Sequence, residues 1–116
     1  MIHEMTLHKS PFLAIQSGRK TIEMRLYDER RQGIQGGDFI LFKMRDDESQ
    51  TLLCEVKALH LFPTFGDLYA HFPLSALGYT KEEETTASPE DMGQYYTKEQ
   101  QDAYGVVGIE IALCAQ

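Results

Sequence analysis

The chain has 116 residues, of which 42% are hydrophobic and 25% charged, with a formal net charge of −7. This is the composition of an ordinary globular protein, long enough for one hydrophobic core but not for two, so residues 1–116 are expected to form a single domain. It excludes disorder of the whole chain, and it argues against a surface that wraps a long polyanion by bulk positive charge.

In chain order, Ile2 to Leu7 alternates loosely and predicts a first strand. Ser10-Pro11 predicts a helix start, with Ser10 as cap and Pro11 in the first turn. Phe12 and Ile15 form its apolar face, and Gly18 ends it. Lys20 to Tyr27 predicts a second strand, with Ile22, Met24 and Leu26 on one face and Thr21, Glu23, Arg25 and Tyr27 on the other. The wholly apolar face is expected to be the core side. Gly33 to Gly37 predicts a turn, Phe39 to Met44 a third strand, Arg45 to Gln50 a polar hairpin loop, and Thr51 to Phe62 a long fourth strand stopped by Pro63. Thr64 predicts the cap of a helix whose apolar members are Phe65, Leu68, Tyr69 and Phe72. Lys81 to Pro89 predicts a mobile acidic surface loop. Ser88-Pro89 and Thr97 each predict a short helix, the second ended by Gly105, and Val106 to Leu113 a last strand. Strands and helices in this order, with hairpin signals in the middle, predict an α+β fold built on a small, bent, antiparallel sheet or barrel.

Cys54 and Cys114 sit in apolar runs without a CxxC spacing, which predicts buried free thiols in a reducing compartment. The N-terminus lacks the basic and apolar regions of a signal peptide, and no window approaches the ~18 apolar residues of a membrane span. A cytoplasmic protein with no membrane partner is expected. The histidines show no ligand spacing, so neither a metal nor another cofactor is expected.

The charge is uneven. Between Arg19 and Arg31 five cations face three carboxylates, whereas between Lys81 and Asp102 two lysines face seven carboxylates. A local anion site in the early segment fits this pattern better than a long nucleic-acid track. Lys20, Thr21, Glu23 and Arg25 converge within roughly 10 Å of strand rise. Such a set fits a self-satisfied surface salt-bridge ladder. It fits equally a site where the two cations hold a phosphate or base oxygen and Glu23 accepts from a donor on the ligand.

Gly18-Arg19-Lys20-Thr21-Ile22-Glu23-Met24-Arg25 resembles the G-x-K-x-x-E-x-R signature of the ASCH family, named for activating signal cointegrator homology. Gly37-Asp38, Phe65 to Tyr69 and Tyr104 to Ile111 are similar to the family's Gly-Asp turn, helix entry and closing strand. The resemblance implies a PUA-like β-barrel of about five to six strands with flanking helices. It also implies a cleft lined by Lys20, Glu23 and Arg25, and a single-stranded RNA, nucleoside or nucleotide as partner. One branch of the family hydrolyses the amide of N4-acetylcytidine, which makes an amidohydrolase the alternative, with Lys20 and Glu23 as its catalytic residues. That branch carries a nucleophilic threonine where this chain has Glu23, and a carboxylate does not replace a hydroxyl in acyl transfer. A third reading is a protein-interaction module using the acidic second half.

Overall fold

A computed structural model, describing residues 1–116, places β1 (Ile2–Leu7), β2 (Ile22–Leu26), β3 (Phe39–Met44), β4 (Asp47–Phe62) and β5 (Val106–Leu113) in one sheet of order β1-β3-β4-β5-β2. Around it lie α1 (Lys9–Gln16), α2 (Glu29–Gln32), α3 (Phe65–His71) and α4 (Lys98–Tyr104), with 3-10 turns at Glu83–Thr85 and Pro89–Gln94. The architecture is α+β, a five-stranded curled half-barrel with flanking helices.

The curl originates in β4. Its first part pairs with β3 and its second with β5, and the register to β5 shifts between Val56 and Ala58. A bulge of this kind bends the strand and increases the local twist. The bend carries the two edge strands, β1 and β2, toward each other. No backbone ladder joins them. Instead, Arg25 Nη2 of β2 donates to the Thr6 carbonyl of β1 at 3.1 Å, and Arg30 Nη2 of α2 donates to the Glu4 carbonyl at 2.8 Å.

The hydrophobic residues divide into two clusters. Inside the curl, Met5, Ile40, Phe42, Leu52, Cys54, Val56 and Ile109 pack together and are covered by Phe12 and Ile15 of α1. Outside it, Ile22, Met24 and Leu26 of β2 pack against Phe65, Leu68 and Tyr69 of α3, with Leu77 and Met92. Gly108 of β5 permits that approach: a Cβ there would lie 3.1 Å from Ile22 Cγ2 and 3.2 Å from the Phe72 ring.

Several expectations need correction. The apolar face of β2 is buried, but against α3. The face bearing Glu23 is the one turned into the barrel, and Tyr27 packs on the inner cluster. A period-two pattern cannot distinguish a half-solvated strand from one packed on both sides when one packed side holds paired charges. The sheet is mixed, because β1 runs parallel to β3 in register Ile2 to Phe39. The β3–β4 connection is the tight turn Arg45–Asp46, so β4 begins at Asp47. α1 starts at Lys9, after His8, and Ser10 is not its cap. The short α2, capped by the Asp28 side chain accepting from Arg31 N–H, carries no apolar periodicity by which it could be anticipated. Thr64 and Thr97 cap α3 and α4, and Ser88 caps the second 3-10 turn, as their spacing predicts.

Candidate functional site

Lys20 lies where the turn after α1 enters β2, its backbone N–H donating to the Ala14 carbonyl at 3.0 Å. Gly78, at φ +106°, passes directly over the lysine stem; a Cβ there would lie 3.0 Å from Lys20 Cδ. Only a residue free to adopt positive φ and lacking a side chain fits this crossing. Glu23 is inside the barrel end at 3% exposure, and Lys20 is at 7%. Lys20 Nζ meets Glu23 Oε1 at 3.0 Å, and Arg25 Nε meets Glu23 Oε2 at 2.7 Å. The triad is therefore a buried ion cluster, not an exposed ladder.

Electrostatics follow from this geometry. Burial alone would raise the Glu23 carboxyl, but the charges and hydrogen bonds of Lys20 and Arg25 outweigh it and hold the group at about 2. For Arg25, burial acts to lower its affinity for the proton, while the Glu23 charge and the nearby Tyr96 phenol overcome this and raise it. The Cys54 thiol is pushed up to about 12, first by burial, then by Cys114 and Glu23. Cys54 is thus a core residue and not a nucleophile.

The triad opens onto a cavity of about 370 Å³ between the end of the sheet and the Leu77–Tyr96 segment. This falls within the range of small-ligand pockets. Its far wall carries a hydrogen-bonded chain: Tyr79 Oη donates to Asp91 Oδ2 at 2.7 Å and lies 2.6 Å from Tyr69 Oη. Because the single Tyr79 proton goes to Asp91, Tyr69 must donate to Tyr79, and the Tyr69 oxygen is left only lone pairs for a ligand. Burial first, and then its hydrogen-bonded neighbours, raise the Tyr79 phenol. Opposite, Lys20 has two ammonium protons beyond the one aimed at Glu23. The cavity thus offers donors on one wall and acceptors on the other. Lys20, Arg25 and Arg45 among its lining residues are balanced by Glu23, Glu83 and Asp91.

Of the residues singled out in the sequence, Lys20, Glu23 and Arg25 are brought together on this cavity. Thr21 is not: its side chain is exposed away from the cavity, while its backbone N–H donates to Ala76 and its carbonyl accepts from Ile111. His60 pairs with Glu110 on the outer face of the sheet at 3.0 Å and does not line the cavity. Tyr69, Tyr79, Asp91, Arg45 and His8 are cavity residues that sequence reading passes over. They come from four separated segments, and no local spacing connects them. Glu83 of the acidic loop also reaches the cavity, held by the Thr80 N–H donating to its carboxylate at 2.8 Å.

The five-stranded curled half-barrel with flanking helices is that of a small α+β domain with a PUA-like fold. The family model for the ASCH domain matches residues 5–114, and the chain belongs to that family. The family is generally associated with RNA binding. Two solved structures from Pyrococcus are similar. One is the crystal structure of hypothetical protein PH0355, 32% identical with TM-score 0.80, covering 98% of this chain and 100% of that one. The other is the solution structure of protein PF0455 from Pyrococcus furiosus, 30% identical with TM-score 0.70, covering 100% of both chains. No curated protein matches the chain.

Proposed function

We propose that the cavity binds the base of a nucleoside or of a single-stranded RNA, and that Lys20, Glu23 and Arg25 form its recognition wall. The observation that carries this reading is Glu23, 3% exposed and salt-bridged on both carboxylate oxygens at the head of the cavity. A buried ion cluster is a poor way to gain stability, since well-packed apolar residues of the same volume are often as good or better. Its presence at a cavity is better accounted for by recognition. Glu23 neutralises much of the field of the two cations, and the lining charges balance. A phosphate therefore gains little inside, whereas a neutral base with both carbonyl and N–H groups is complementary to a wall of donors facing a wall of acceptors. Lys20 and Arg25 donate to base oxygens; Glu23 and Tyr69 accept from base N–H groups.

The hydrolytic alternative is served less well. A carboxylate held at about 2 is a weak general base at neutral pH, because the best base has a pKa near the working pH. No turnover of N4-acetylcytidine, followed by mass change, is the expected outcome.

The test is titration of the labelled protein with the four nucleosides and their 5′-monophosphates, read by amide chemical shifts. Shifts grouped around the cavity, at Lys20, Glu23, Arg25, Tyr69 and Tyr79 and the segments that adjoin them, with nucleosides bound at least as tightly as monophosphates, are expected. Lys20→Met, verified as folded by the same spectra, should weaken binding by about 1–2 kcal/mol for one lost charge-assisted contact. Monophosphates bound far more tightly, or shifts elsewhere on the surface, would remove the reading.

A further inference from the structure

We infer that Tyr95, with His8 facing it, is a stacking platform for a second base, so that the ligand is a single-stranded RNA with one base in the cavity and its neighbour on the Tyr95 ring. The inference rests on the base-binding reading above and extends it from one nucleotide to a chain.

Tyr95 lines the cavity and is 48% exposed, so part of its ring is open to a ligand. Its placement is fixed by its surroundings. Ser88 and Asp91 form a capping box on the 3-10 turn, Met92 anchors that turn in the outer cluster, and the Met92 carbonyl accepts from the N–H groups of both Tyr95 and Tyr96. Tyr96 then turns inward and stacks on Phe65 at 5.8 Å and 19°. Tyr95, the residue before it and tilted 57° to it, is left facing outward. Across the mouth, the His8 ring lies 5.9 Å from the Tyr95 ring, and Arg45 Nη1 approaches His8 Nε2 at 3.4 Å.

The mouth therefore presents two aromatic rings and a guanidinium plane, the side chains on which unstacked RNA bases are laid. Charge supports the same conclusion. In a chain of net charge −7 with a balanced cavity, phosphate attraction cannot supply most of the affinity. Stacking is independent of that field and tolerates any base. The two rings form too small a patch for a stable protein interface, which needs on the order of 1,000 Å².

The experiment compares each nucleoside with the ribodinucleotide containing it, by calorimetry or chemical-shift titration on the full chain, and reads the ratio of the two affinities. Wild type is expected to bind the dinucleotide ~5- to 150-fold more tightly, as one stacked base contributes. Tyr95→Ala should collapse the ratio toward one, and Tyr95→Phe should restore it. Equal affinities for nucleoside and dinucleotide in wild type, or a ratio unchanged in Tyr95→Ala, would overturn the platform while the nucleoside data still support the cavity. Absence of nucleoside and dinucleotide binding alike would overturn both.

Discussion

Glu23 is the residue on which site and stability meet. Its carboxyl, at about 2 in the folded chain, lies below the value near 4.5 expected when unfolded. The unfolded state therefore takes up the proton first as pH falls. The stabilisation linked to this group is complete above about pH 4.5 and is lost as pH drops toward 2, about 3 kcal/mol in all. Asp38, held at about 2 first by its hydrogen bond with His3 and next by the Gln35 N–H, loses its contribution in the same direction, between 3.8 and 2. Acid denaturation followed by circular dichroism should accordingly show a steep fall in stability below pH 4.5. In Glu23→Gln that fall should be shallower, because one of the linked protons is gone. The same variant should lose about 3–5 kcal/mol at pH 7, since it leaves Lys20 and Arg25 facing each other without their counter-ion. A loss under 1 kcal/mol would mean that the carboxylate is screened by water after all.

Among the connecting elements, the Leu77–Tyr96 segment does most to turn a salt-bridged strand into a pocket. Gly78 crosses Lys20 at positive φ, and Gly78→Ala should cost about 1–2 kcal/mol for the left-handed backbone alone. It should also displace Lys20 from Glu23 and weaken nucleoside binding more than it weakens folding, which thermal melts and titrations on one sample can separate. Much of this scale was legible in the sequence: Ile2 to Leu7, Phe39 to Met44, the Thr64 and Thr97 caps, and the Val106 to Leu113 strand emerge where pattern and capping place them. Lys20, Glu23 and Arg25 were legible as a group because they occupy one short strand. What was not legible is their depth. Glu23 is buried by α1, the barrel end and a segment more than fifty residues later, and no local pattern records that closure. For the same reason Tyr69, Tyr79 and Asp91, meeting only through a hydrogen-bonded chain, could not be grouped beforehand.

At the scale of the whole molecule, an acidic protein with a charge-balanced cavity should bind RNA with little dependence on salt. With no more than about two to four phosphates contacted, and about 0.7 per phosphate in the log–log slope, titration between 50 and 200 mM salt should change affinity by roughly 7- to 50-fold. A steeper slope would point to a basic track elsewhere on the surface. The arginine seam between β1 and β2 has a different consequence. Because Arg25 and Arg30 hold the Thr6 and Glu4 carbonyls, respectively, with side chains where a closed barrel would use a backbone ladder, the half-barrel has a built-in line of weakness. Amide hydrogen exchange should find β1 opening at a free energy below that of global unfolding, separately from β4 and β5. Arg25 also faces the cavity, so a bound base and the seam share one guanidinium, and occupancy should be felt as altered exchange protection along β1, on a strand whose backbone the ligand need never touch.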